Sequence, residues 1–66
     1  MYKLTIVYKN MKKLTIEHRD DCLLIDFAEN FVHDTDGVIG YKITKNNEVF
    51  GLMVFNKENL TKIVNA

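Results

Sequence analysis

Apolar residues recur at every second position, at Tyr2, Leu4, Ile6 and Tyr8 from Tyr2 to Tyr8 and at Leu14 and Ile16 from Lys12 to His18, the period of a strand with one buried face. The two stretches share a tetrapeptide, Lys3-Leu4-Thr5-Ile6 and Lys13-Leu14-Thr15-Ile16, displaced by ten residues. A three-residue loop at Lys9-Asn10-Met11 sets Leu4 opposite Ile16, Ile6 opposite Leu14, Thr5 opposite Thr15 and Lys3 opposite Glu17. The apolar sets then share one face, and a slip of one residue would separate them. The weak point is the loop itself, which favours glycine where this chain has Met11.

From Asp20 onward the period changes. Leu24, Phe27, Ala28 and Phe31 fall at helical spacing, with Asp26, Glu29, Asn30 and His33 largely on the other side. Asp20 or Asp21 serves as the N-cap, its carboxylate accepting from first-turn N–H groups, and Gly37 closes the segment. A strand over residues 22–27 competes, since Leu23, Ile25 and Phe27 alternate. The apolar positions continue at helical spacing to Phe31, which favours the helix.

Strands are expected again from Val38 to Thr44 and, apolar on both sides, from Glu48 to Phe55, joined through Lys45-Asn46-Asn47, where paired Asn residues suit a type I′ turn. This pairing opposes Ile43 with Phe50, Tyr41 with Leu52 and Ile39 with Val54. Leu60 to Val64 reads as a short fifth strand. The expected fold is α+β, a single domain over residues 1–66, with an antiparallel sheet of four or five strands and one helix on one face, in the order ββαββ(β).

The helix leaves one sheet face over. On the first hairpin that face is polar, with Lys3, Thr5, Thr15 and Glu17 and only Val7 apolar. On the second hairpin the same reading places Val38, Gly40, Val49, Gly51, Met53 and Phe55 outward, a smooth apolar patch rimmed by lysines. Contiguous surface of that kind marks an interaction site. A homodimer or another protein partner is the leading expectation. The alternative is that the C-terminal segment folds over the patch or the sheet curls into a barrel.

Composition narrows the class further. An apolar fraction of 47% suits a compact globule, and a single cysteine, Cys22, points to a reducing compartment rather than a disulfide framework. No apolar run approaches the ~20 residues of a membrane span, and no cleavable leader is expected at Tyr2. A cytoplasmic protein without membrane attachment is therefore expected. Net charge is zero but sorted along the chain: +4 over residues 1–19, −6 over residues 20–37 and +2 over residues 38–66. A neutral total disfavours a strong non-specific nucleic-acid binder and a nucleic-acid mimic alike.

Chemistry-bearing motifs are sparse. One cysteine and two isolated histidines, His18 and His33, do not make a zinc spacing, so no metal is expected and Cys22 reads as a small buried residue of the first helical turn. Asp34-Thr35-Asp36-Gly37 has the start of a calcium loop, but its twelfth position is Lys45, a cation. Cys22 stands beside Asp20 and Asp21, which oppose thiolate formation. No phosphate loop or nucleophile elbow occurs, so neither enzyme activity nor a cofactor is expected.

Two further surfaces compete with the second hairpin. Asp26 and Glu29 give an acidic helix face suited to a basic partner. Lys9, Lys12 and Lys13 give a basic hairpin that would take nucleic acid or a phosphate-bearing ligand, as a homo-oligomer. The tyrosines nearest that hairpin share the core face, which removes the stacking platform such binding uses. The leading expectation is a non-catalytic interaction protein. With many Lys, Asn and Ile residues and no catalytic signature, the chain has the style of small phage and mobile-element proteins. An inhibitor or modulator of another protein is one concrete version.

Overall fold

In the computed structural model, which describes residues 1–66, the alternating stretches form four strands: β1 (Tyr2–Tyr8), β2 (Lys13–His18), β3 (Val38–Lys45) and β4 (Glu48–Val54). A helix, α1 (Asp21–Asp34), links the two hairpins, and a short helix, α2 (Leu60–Val64), follows one 3-10 turn at Lys57–Asn59. The sheet is antiparallel in the order β2-β1-β3-β4, so β1 and β3 are central and β2 and β4 are edges. The expected α+β fold in ββαββ order is present, with a second helix added.

The first hairpin has the register its alternation demands. Leu4 faces Ile16, Ile6 faces Leu14, Thr5 faces Thr15 and Lys3 faces Glu17. The Tyr8 N–H donates to the Lys12 carbonyl at 2.9 Å, closing the loop over Lys9-Asn10-Met11, and Met11 takes φ 67° there. That left-handed conformation costs an L-residue with a Cβ about 1–2 kcal/mol.

Helix α1 starts where Asp20 accepts from the Cys22 and Leu23 N–H groups at 3.0 and 3.4 Å. His18 Nδ1 accepts from the Asp20 N–H at 2.9 Å and so sets the approach to the cap. Leu24 and Ala28 are buried against Leu4, Ile6, Val38, Tyr41 and Ile43, with Phe31 and Val32 packed alongside. Phe27 sits at the margin of this core, stacked on Phe31 at 5.6 Å. Cys22, expected to be buried, is exposed, because the cap turns its side of the helix to solvent. Past the helix, Gly37 at φ 85° turns the chain, and its carbonyl accepts from the Lys9 N–H at 2.7 Å.

The second hairpin departs from simple alternation twice. Its turn is as expected, with Asn46 and Asn47 at φ 52° and 64°. Beyond the turn the register shifts by one residue: Thr44 faces Val49, but Ile43 faces Gly51, Tyr41 faces Met53 and Gly40 faces Val54. Phe50 is the extra residue of this bulge, its ring edge-to-face with Tyr2 at 5.5 Å. A second bulge lies between β1 and β3, where Tyr8 faces Val38 and Val7 faces Gly40, which leaves Ile39 unpaired.

Each bulge moves residues across the sheet. Val38 and Met53, expected on the outer face, belong to the core beneath α1, and Gly51 stands on that same face opposite Ile43. Ile39, Leu52 and Val54, expected inward, take the outer face instead.

The expected fifth strand is α2. Asn56 accepts from the Glu58 N–H at 3.0 Å and starts a helical turn, and Leu60, Ile63 and Val64 then follow at helical spacing. Ile63 is fully buried with Val7 and Ile39 in a second, smaller core on the outer face, against which Val54 packs. Gly40 lies beneath it: a Cβ at that position would stand 3.0 Å from Ile63 Cδ1 and would collide with the Met53 carbonyl. Lys42 Nζ donates to the Val64 and Ala66 carbonyls at 3.0 and 2.6 Å, where the helix presents its unpaired acceptors. The C-terminal segment therefore covers part of the outer face. No helix is long and apolar enough to cross a membrane.

Candidate functional site

With α1 on one face and α2 on part of the other, a run of exposed apolar side chains is left along and around edge strand β4. Val49, Phe50 and Leu52 are exposed within it and Phe55 just beyond it, with Phe55 62% accessible and Phe50 58%. No charged residue lies between Val49 and Asn56. The opposite edge, β2, carries Lys13 and Glu17, both exposed, between Lys12 and Arg19. Charged side chains guard an edge because pairing with another strand would strip their water. On β4 that guard is missing.

The backbone of β4 is equally open. The Phe55 N–H donates to the Ile39 carbonyl at 3.3 Å, which makes Ile39 and Phe55 a hydrogen-bonded pair. Bonding alternates along an antiparallel ladder, so Met53 and Gly51 also bond inward to β3. The N–H and C=O groups of Leu52 and Val54 then point away from the sheet, and no backbone bond outside the regular elements reaches them.

Of the six residues expected to form one outer patch, the structure keeps few together. Val49 and Phe55 are exposed at the β4 edge, Gly40 is sealed under Ile63, and Val38, Gly51 and Met53 lie on the helix-covered face. Phe50 and Leu52, expected inward, are exposed. The signal that could have located the site is the run of eight uncharged residues from Val49 to Asn56, unusual for an edge strand.

Asp26 and Glu29 are exposed on α1 as expected. Burial, and after it the Glu29 carboxylate, pushes the Tyr41 hydroxyl above its ordinary pKa, so Tyr41 stays neutral in the core. Lys9, Lys12 and Lys13 are exposed on the first hairpin. Tyr8, the ring beside them, meets Phe31 edge-on at 6.5 Å, whereas Tyr2 lies at the far end of the hairpin opposite His18 and holds Lys45 Nζ 4.9 Å above its face.

Asp20, Asp21 and Cys22 place ligand-capable atoms within 4.8 Å of one another. Helix capping accounts for Asp20, one of whose oxygens already accepts two N–H groups. Asp21 and then Asp20 raise the Cys22 thiol above its ordinary pKa, which keeps it protonated and a poor nucleophile at neutral pH. One open cavity of about 190 Å³ lies at the β3–β4 turn, lined in part by Tyr2, Lys3, Glu17, Lys45 and Asn46. Its lysines and glutamate are surface groups that converge on no reacting centre.

Comparison with protein-family models, curated proteins and solved structures finds no match for this chain.

Proposed function

We propose that this chain is a non-catalytic protein-interaction module that receives a second polypeptide along the β4 edge. The observation that carries this reading is the coincidence of outward-facing backbone groups at Leu52 and Val54 with exposed apolar side chains at Val49, Phe50, Leu52 and Phe55. Strand addition of this kind draws affinity from main-chain hydrogen bonds and selectivity from side chains on either face of the edge. A small inhibitor or modulator of another protein, of the type carried by phages and mobile elements, is one concrete form. The free, exposed thiol of Cys22 suits a reducing, cytoplasmic setting.

The test is a photo-crosslinking amino acid placed in the native cell at Val49 or Phe55, with Thr15 on the β2 edge and Glu29 on α1 as comparison positions. Covalent adducts to protein are expected from the two β4 positions and not from the others. Adducts of equal yield from Thr15 or Glu29 would overturn the placement. So would an interaction that disappears when Lys9, Lys12 and Lys13 are neutralised and persists when Phe55 is replaced.

A further inference from the structure

We infer that the polypeptide received by β4 is a second copy of this chain, paired antiparallel through β4 about a two-fold axis at Met53. The inference rests on the docking reading above and names its partner. Two four-stranded sheets become one continuous sheet, with Leu52 of each copy opposite Val54 of the other.

Three features favour a self-partner. The residues whose backbone groups face outward, Leu52 and Val54, flank Met53 symmetrically, so a Met53-centred pair lets each copy satisfy the other's outward groups. In this register Leu52 and Val54, both on the outer face, stand opposite each other, and Met53 stands opposite its own copy on the helix-covered face. No hydrophobic set is turned the wrong way. The ladder spans residues 51–55 in each copy, one residue past the end of β4 at Val54, and stops short of the bulge at Phe50.

The second feature is the pairing of Phe55 with Gly51. Phe55 is the most exposed aromatic side chain, with 62% of its surface open. The Met53-centred register puts it across from Gly51 of the other copy, which presents no side chain and leaves room for the ring to lie over the backbone. The third feature is charge. Residues 49–56 carry none, and the net charge of the chain is zero, so two copies meet no like-charge repulsion at the seam and little at long range. Five paired residues extend about 17 Å. That is the small end of specific interfaces, so the expected dimer is reversible, with dissociation in the micromolar range.

Sedimentation velocity from about 1 µM to about 1 mM is the decisive measurement, with the amide hydrogen exchange of Leu52 and Val54 followed over the same range. A monomer–dimer shift is expected, together with slowed exchange at those two amides as concentration rises. Leu52→Pro removes an N–H that bonds nothing in its own sheet and should weaken dimerisation about tenfold or more. Phe55→Asp provides a second variant whose exposed position leaves the fold unburdened, and it should weaken dimerisation similarly.

Dimerisation indifferent to both substitutions, or protection appearing at Thr15 instead, overturns the β4 geometry. A monomer at every concentration overturns self-pairing. If that monomer still forms Phe55 adducts with a different protein in the cell, the docking reading stands and only the partner named here is wrong. If it forms none, both fall.

Discussion

The two hairpins differ in pattern, the first apolar at every second position and the second apolar on both sides of β4, and they end up as different kinds of object. The first runs without a bulge, keeps its apolar residues beneath α1 except Val7, which joins the outer core, and has an edge guarded by Lys13 and Glu17. The second is bulged at Ile39 and at Phe50, buries apolar residues on both faces, and ends in an uncharged edge. One extra residue in a strand moves everything beyond it to the other face. Through its bulges the second hairpin places Ile39 and Val54 in the outer core beside Val7 while Val38, Tyr41, Ile43 and Met53 stay in the core beneath α1. The first hairpin supplies order and the second supplies surface, and this is why the interaction reading rests on β4.

The outer faces should respond very differently to truncation. Ile63→Ala empties the centre of the second core and should cost about 3 kcal/mol, a large share of what a domain this small possesses. Thr15→Ala on the exposed outer face of the first hairpin should cost under about 0.5 kcal/mol. Urea titration of both variants measures the gap. Near-equal losses would mean that α2 contributes little and that the two outer faces are energetically alike.

The two β-sheet glycines offer a finer contrast within the second hairpin. Gly40→Ala forces a methyl against Ile63 and the Met53 carbonyl and should destabilise by about 2 kcal/mol. Gly51→Ala meets only Ile43 Cβ, at 3.9 Å, and should change stability by less than about 0.5 kcal/mol. Thermal melts of the pair suffice. Equal tolerance at the two positions would put both glycines on one open outer face, as uninterrupted alternation predicts.

That last alternative marks the limit of what the residue pattern discloses. Period-2 alternation determines a register completely when one face is buried and the other wet, and every pair of the first hairpin follows from it. In the second hairpin Val49, Phe50, Leu52, Met53 and Val54 are all apolar, so neither register buries a polar residue that would disfavour it. The choice passes to tertiary contacts: the ring of Tyr2 that meets Phe50, and Ile63, whose burial requires a side-chain-free position at Gly40. Leu60 to Val64 shows the same limit, since five residues fit either period and the Asn56 cap decides. The helix was legible because its apolar spacing continues to Phe31, whereas the exposure of Cys22 and Phe27 depends on how α1 rolls on the sheet.

The turns give the smallest contrast. Both hairpins require left-handed residues, Met11 in the first and Asn46 with Asn47 in the second. Methionine bears the full steric conflict between its Cβ and the following carbonyl, whereas asparagine reaches that conformation readily. Met11→Gly should therefore stabilise the protein by about 1 kcal/mol after the added freedom of the unfolded chain is subtracted. Asn47→Gly should gain only about 0.3 kcal/mol, because little strain is there to relieve. Equilibrium unfolding of the two variants side by side measures the difference. Equal gains would show that Met11 is not strained in solution and that the loop over Lys9-Asn10-Met11 takes another form. The first hairpin would then lose its claim to be the more rigidly specified half, since its register depends on that loop closing at Tyr8 and Lys12.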